Sequence, residues 1–345
     1  MRRARAIATL TAFVLGLSGA SAIGAGNRVQ IVGFNDLLGW HEDDHRAALQ
    51  SFVNSCVDIR KPGWQSLCAL AQTKPDAKAF FETFFTPVVI RPNAKALFTG
   101  YYEPILRGSL YREGPYIYPI YQMPPDLTPR DMEFTREKIE NGALAQKGLE
   151  IAYVDDPVEA HFLHIQGSGQ IQLSNGNRIR VGYAGENGHV YRSAPSELIR
   201  LGEISRAEAS IAGLKAWVKR NPEKGIKALQ FNASYVFFRR LETLQPGQGP
   251  LGALERPMMP LRSVAVDPRY VQMGAPVWIE KGGTNVIRKL MIAQDVGASI
   301  KGPQRADIFF GSGAEAGDAA SDTNYGGRMV VLMPVAIARE MAAGR

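Results

Sequence analysis

The 345-residue chain has two cysteines, too few for a disulfide scaffold or for a closed thiolate metal site. Beyond its N-terminus it lacks any run of about 20 apolar residues, which excludes a polytopic membrane protein. It has no Gly-x-Ser-x-Gly elbow, no P-loop and no dinucleotide fingerprint, so serine-hydrolase and nucleotide-dependent chemistries have no anchor. Basic stretches interleaved with stacking aromatics are missing, and nucleic acid is not an expected ligand. There is no internal repeat and no low-complexity tract. What is present is 45% hydrophobic and 21% charged residues, the balance of a globular protein. Thirty-five Gly and 21 Pro favour a loop-rich, mainly β fold with some helix over a helical bundle.

Arg2, Arg3 and Arg5 precede an uncharged, mostly apolar stretch from Ala6 to Ala22 that closes on Ala20-Ser21-Ala22. This is the pattern of a secretory signal peptide over residues 1–22, with an uncleaved anchor as the alternative. No cysteine follows the small-residue site, so no lipid anchor is expected there. Removing residues 1–22 takes away three positive charges, and the net charge falls from +7 to +4. That mildly basic balance suits an anionic polymer or surface. In an oxidising compartment Cys56 and Cys68 are a disulfide candidate, because they bracket a Pro62-Gly63 turn between two apolar segments. Two free buried thiols are the alternative.

The N-terminal third is partly helical. Leu49, Phe52, Val53 and Cys56 make one helical stripe, and Asp76 is placed to cap a second helix carrying Phe80, Phe81, Phe84 and Phe85 as core. After Pro92 the pattern changes to strands and turns. His161 and His164 read as strand residues pointing to opposite faces, which argues against a metal pair. Gln170 to Ser174 and Arg178 to Val181 alternate about an Asn175-Gly176 turn and predict a hairpin. Ser205 and Glu208 form a capping box that predicts a helix bearing Ile211, Leu214 and Val218 and ending at Asn221-Pro222. Short strands return from Ser263 onward, at 264–266, 276–279, 290–293, 308–310 and 329–332.

Candidate chemistry gathers in that last segment. Asp267, Asp295 and Asp307 each sit at an end of an apolar strand within about forty residues, next to glycine-containing turns. Any one of them is explained by turn preference, but three together suggest a carboxylate site. Asp295-Val296-Gly297 is a single copy of the aspartic-protease turn, and that chemistry needs two. Tyr101, Tyr102 and Tyr183 are either ligand-stacking rings or barrel packing.

Several stretches together carry a resemblance. They are Gly33-Phe34-Asn35-Asp36-Leu37 through Trp40, Phe98-Thr99-Gly100-Tyr101-Tyr102-Glu103-Pro104, His164-Ile165-Gln166-Gly167-Ser168-Gly169 through Val181-Gly182-Tyr183, and the three-aspartate block. In these the chain resembles the membrane-bound lytic murein transglycosylase A family, cell-wall glycan-cleaving enzymes of Gram-negative bacteria. The resemblance implies a double-psi β-barrel from residues 23–108 and 240–345. A smaller β-barrel, residues 109–239, would be inserted between them, and a groove between the two would take the glycan. It implies Asp307 as the catalytic acid and Asp295 as its supporting neighbour. Thr99, Gly100, Tyr101, Tyr102, Gln166, Gly167, Ser168, Gly169, Tyr183 and Lys301 are the implied substrate-binding residues. It further implies peptidoglycan strands as substrate, no cofactor or metal, a periplasmic monomer, and cell-wall synthesis proteins as candidate partners. A two-carboxylate hydrolase, using Asp307 with Asp295 or Glu103, and a non-catalytic glycan-binding barrel are the rival readings. As an acid at neutral pH, Asp307 is expected to have a raised pKa, from burial beside Phe309 and Phe310 and from repulsion by Asp295.

Overall fold

The computed structural model describes residues 29–127, 133–245 and 247–343, and the expected signal peptide at 1–22 lies outside them. Strand β1 (Val29–Ile31) leads into helices α1 (His45–Cys56), α2 (Trp64–Gln72) and α3 (Ala77–Phe84). Asp44 and Asp76 cap α1 and α3 by accepting the backbone N–H three residues on. The stripe on α1 buries Phe52 against Phe80, Phe81 and Phe85, with ring centroids 5.9–6.2 Å apart. Each such ring contributes roughly 1.5–3 kcal/mol on burial. Cys56 and Cys68 are bonded, with Cα atoms 5.4 Å apart, and tie α1 to α2.

The chain continues through β2 (Phe85–Ile90), β3 (Leu97–Glu103), β4 (Ile105–Ser109), β5 (Tyr118–Tyr121), α4 (Arg136–Lys138), β6 (Glu150–Val154), α5 (Pro157–Gln166), β7 (Ser168–Leu173) and β8 (Arg178–Glu186). Then follow α6 (Ala194–Arg200), α7 (Ile211–Arg220), α8 (Pro222–Gln230) and β9 (Val236–Arg240). The last segment holds β10 (Ser263–Val266), β11 (Pro276–Lys281), β12 (Ile287–Asp295), β13 (Arg305–Ser312), α9 (Ala314–Ser321), β14 (Asn324–Tyr325), β15 (Gly327–Pro334) and α10 (Val335–Ala342).

The strands form two sheets. The larger runs in the order β1-β2-β15-β11-β12-β10-β13-β3-β14, and the smaller in the order β5-β6-β4-β7-β8-β9. A parallel bridge from Gln122, just past β5, to Phe238 in β9 joins the two edges of the smaller sheet. Its hairpin pairs Ile171 with Ile179 and Gln170 with Arg180 about Gly176, which takes a positive φ of 87°. The first crossing between sheets lies at Pro104 and not after residue 108, because β4 pairs with β6 and β7.

Two local expectations need correction. His161 and His164 lie on α5, not in a strand: Asp156 accepts the N–H groups of Val158 and Glu159, and Pro157 occupies the first turn. Both imidazoles are buried, and His164 Nδ1 accepts the Val236 N–H at 3.2 Å. The Ser205–Glu208 box forms reciprocally but closes only a turn. Ser210 caps the helix that follows, and the chain re-enters a helix at Pro222.

The two sheets are bolted together at Glu103, which is fully buried. Its carboxylate accepts from Ser312 Oγ of the larger sheet at 2.5 Å. From the smaller sheet it accepts from Gln170 Nε2 at 2.8 Å and Arg180 Nη2 at 2.8 Å. Glu103 is thus absorbed by structure, which removes it from the hydrolase pairing considered above.

Candidate active site

A cavity of about 720 Å³ opens between the sheets, lined on one side by Asp295 and Asp307 and on the other by Gln166, Gly167, Ser168 and Tyr183. Strand register builds its floor. Ala265 on β10 pairs with Asp307 on β13 and with Asp295 on β12, and Asp307 pairs with Thr99 on β3. Residues directly opposite in a ladder share a face. Asp295, Ala265, Asp307 and Thr99 therefore form one transverse row.

That row depends on a bulge. On β12, Ala293 pairs with Val264, but the next residue of β10, Ala265, pairs with Asp295, so Gln294 is the extra residue. In an unbroken ladder Asp295 would lie one position on and face the opposite side. Gln294 is fully buried and anchored: Nε2 donates to Ser55 Oγ at 2.7 Å, and Oε1 accepts from Ser51 Oγ and Ser263 Oγ.

Tyr101 on β3, level with Phe309 of β13, donates its hydroxyl to Asp295 Oδ2 at 3.0 Å. On a flat sheet β3 and β12 would stand roughly 14 Å apart with side chains perpendicular. The bond therefore requires this part of the sheet to curl with the carboxylates inside. Beneath them Tyr101, Met258, Ala265, Ile300 and Phe309 form a small apolar cluster.

The electrostatics follow from that floor. Asp295 is pushed up to about 6, by burial first and also by the negative charge of Asp307, against three hydrogen bonds donated to it. These come from Tyr101, from Ala253 N–H at 3.0 Å and from Val296 N–H at 2.9 Å. Burial also pushes Asp307 up, while the Thr99 hydroxyl, 2.5 Å from Oδ1, and the Arg305 guanidinium pull it down. Arg305 in turn donates to Thr99 Oγ1 at 2.8 Å. The expected repulsion thus falls on Asp295, and of the two phenylalanines only Phe309 shares the face of Asp307. Phe310 lies on the other face, where it crowds Gly100.

A close carboxylate pair titrates as a unit. Hydrogen bonding distinguishes the two carboxyls. Asp295 is surrounded by donors on both oxygens, whereas Oδ2 of Asp307 has none among the described residues.

Asp267, the third aspartate, is not part of the row. It is buried, paired with Arg269 at 2.6 Å, and accepts the Gly302 N–H at 2.8 Å. The Arg269 hydrogen bonds hold it far below the usual carboxylate range, so it fixes the loop that carries Lys301.

The other sequence-chosen residues divide. Gly100, Tyr101, Gln166, Gly167, Ser168, Tyr183 and Lys301 line the cavity. Tyr101 is buried and is no stacking platform; Tyr183 is half exposed at the mouth, as stacking requires. Tyr102 faces α9, where its ring packs on Gly317, and lines a second, smaller cavity. Gly169 is wall: a Cβ there would stand 2.4 Å from Leu163. Gln166 Oε1 accepts the Tyr102 N–H at 3.1 Å, and Lys301 Nζ donates to the Gly297 carbonyl at 3.2 Å. Ala265, Arg136 and Tyr191 also line the cavity and were not anticipated. No local pattern marks them, since a strand register, a short helix and a loop bring them there.

Comparison with known proteins agrees with this architecture. A family model described as the MltA specific insert domain matches residues 97–239, and one described as the 3D domain matches residues 262–333. Over 238 residues the chain is 34% identical to membrane-bound lytic murein transglycosylase A of Escherichia coli strain K12. That alignment covers 66% of this chain and 63% of the relative, so the chain aligns with somewhat less than two thirds of its length. The crystal structure of MltA from Neisseria gonorrhoeae, monoclinic form, is 33% identical with a TM-score of 0.80, covering 90% of this chain and 94% of that one. The structure of E. coli MltA with bound chitohexaose is 28% identical with a TM-score of 0.71, covering 86% and 90%. With both domain models matched and the whole fold shared, the chain belongs to the membrane-bound lytic murein transglycosylase A family.

Proposed function

We propose that this chain cleaves the β-1,4 bond between N-acetylmuramic acid and N-acetylglucosamine of peptidoglycan without water, leaving 1,6-anhydromuramic acid ends. The observation that carries the reading is the transverse row. It sets two carboxyls with raised pKa on one curled face, at the floor of a cavity between two sheets. The cavity's shape and the chitohexaose bound by the E. coli relative support a glycan strand as occupant. Residues 105–239 act as the insertion that forms the opposite wall. The expected export signal and the membrane-bound relatives support action at the periplasmic cell wall.

Protonated Asp307 donates from Oδ2 to the bridging oxygen as the C1–O4 bond breaks. Charge at C1 develops beside anionic Asp295, which the Tyr101 hydroxyl and two backbone N–H groups hold in place. The C6 hydroxyl of the same sugar attacks C1, and its proton passes to the Asp307 carboxylate. Attack within one sugar has a high effective molarity, so no protein nucleophile is required. Tyr183 offers a ring for stacking at the cavity mouth.

The test is digestion of murein sacculi by the purified chain with mass spectrometry of the released ends. Anhydro ends are expected, and Asp307→Asn is expected to slow turnover by about 10²–10⁴-fold while glycan binding persists. Products one water heavier, or an Asn variant that keeps wild-type turnover, refute the reading.

A further inference from the structure

Ala265 stands between the two carboxylates. It pairs with Asp295 on one side and Asp307 on the other, lines the cavity, and belongs to the apolar cluster at its floor. Both aspartate side chains rise from the same face on either side of a single methyl group. Within the row the residue between them contributes a single methyl group, while the Tyr101 hydroxyl reaches Asp295 from the adjoining row.

The gap matters because two carboxyls work hydrolytically when the space between them admits a water beside the anomeric carbon. A water occupies about 30 Å³ of liquid volume and requires two to four polar partners. Removing the Ala265 methyl frees space of that order, and two carboxylates border it. We infer that Ala265 determines the outcome of the reaction by filling the place a hydrolytic water would take between Asp295 and Asp307. The activated sugar is thereby committed to attack by its own C6 hydroxyl. This inference rests on the lytic reading proposed above.

With the place open, the competing step balances without any further reactant. Water oxygen bonds to C1 as C1–O4 breaks, the Asp307 proton goes to O4, and Asp295 accepts the proton that water loses. The end formed is a reducing sugar, one water heavier than the anhydro end.

The experiment digests sacculi in ¹⁸O-water with the wild type, Ala265→Gly, Ala265→Ser and Ala265→Val, and measures anhydro against labelled hydrated ends. The wild type yields anhydro ends. Ala265→Gly places at least about a tenth of new ends in the labelled form, as a positioned water competes with the high effective molarity of the C6 hydroxyl. Ala265→Ser, which refills the gap, returns to the wild-type ratio. Ala265→Val crowds the carboxylates and slows turnover at least about tenfold with the ratio unchanged, since overpacking displaces both groups. Anhydro ends from the wild type with an unchanged ratio in a folded Gly variant overturn the role of Ala265 and leave the lytic reaction standing. If the Gly variant does not fold, a Val variant with wild-type turnover overturns it instead. Hydrated ends from the wild type overturn the lytic reading itself.

Discussion

Replacing Asp295 with Asn removes a charge that the fold holds against its own burial. The carboxyl rises from an ordinary 3.8 to about 6 on folding, so its ionised form is disfavoured in the native state. A group raised in this way favours folding below 3.8, and that contribution is lost as pH climbs through about 6. The gap corresponds to at most roughly 3 kcal/mol at neutral pH, at about 1.4 kcal/mol per pH unit. Asn fits the same contacts. Its oxygen accepts the Ala253 and Val296 N–H groups, and its Nδ2 donates to the Tyr101 hydroxyl, which then turns its proton to Met258 Sδ, 3.0 Å away. The Asn variant is therefore expected to melt at the same temperature as the wild type below pH 4. Above pH 6 it is expected to melt higher, by on the order of 6–12 °C at about 2–4 °C per kcal/mol. It is also expected to lose most turnover, the usual exchange between stability and a strained site. Scanning calorimetry from pH 3.5 to 8 measures both limits. Equal melting at pH 7, or the same difference at pH 4 as at pH 7, refutes the argument that burial sets the carboxyl's titration.

Further outcomes follow from other contacts. Thr99→Val removes a hydrogen bond that favours ionised Asp307, so the carboxyl rises and the basic limb of kcat/KM moves to higher pH; a limb that stays or moves down contradicts the Arg305–Thr99–Asp307 relay. Glu103→Ala leaves Arg180, largely enclosed between the sheets, without its counter-charge and is expected to cost about 3–5 kcal/mol in urea unfolding. A Glu103→Ala protein as stable as the wild type would show that the sheets are held elsewhere. The Cys56→Ser/Cys68→Ser pair, which opens a loop closed at a separation of 12 residues, is expected to lose about 3 kcal/mol, read as a lower urea midpoint.

Much of the framework was legible locally. Capping by Asp76, the stripe from Leu49 to Cys56 and the hairpin about Asn175-Gly176 rest on interactions within about a dozen residues, and five C-terminal strands announce themselves as short apolar runs, though their partners lie much further along the chain. The failures were local as well. Asp156-Pro157 is a helix-opening pair ahead of His161, but the dense apolar run after it resembles a strand as much as a buried helix. Ser205–Glu208 has the chemistry of a capping box, yet the helix starts only where Ser210 finds its own N–H partner.

The sequence alone established that carboxyl groups stand at the ends of short, continuously apolar strands. Such a run carries no alternation to mark one face from the other, so it left Asp267, Asp295 and Asp307 equivalent. Tertiary structure separated them. Arg269 neutralises Asp267, while the bulge at Gln294, held by serines from a helix more than 200 residues earlier, turns Asp295 onto the face of Ala265 and Asp307. Pairing between distant strands and the curl of the sheet set which carboxyls meet, and neither is written in any short stretch of residues.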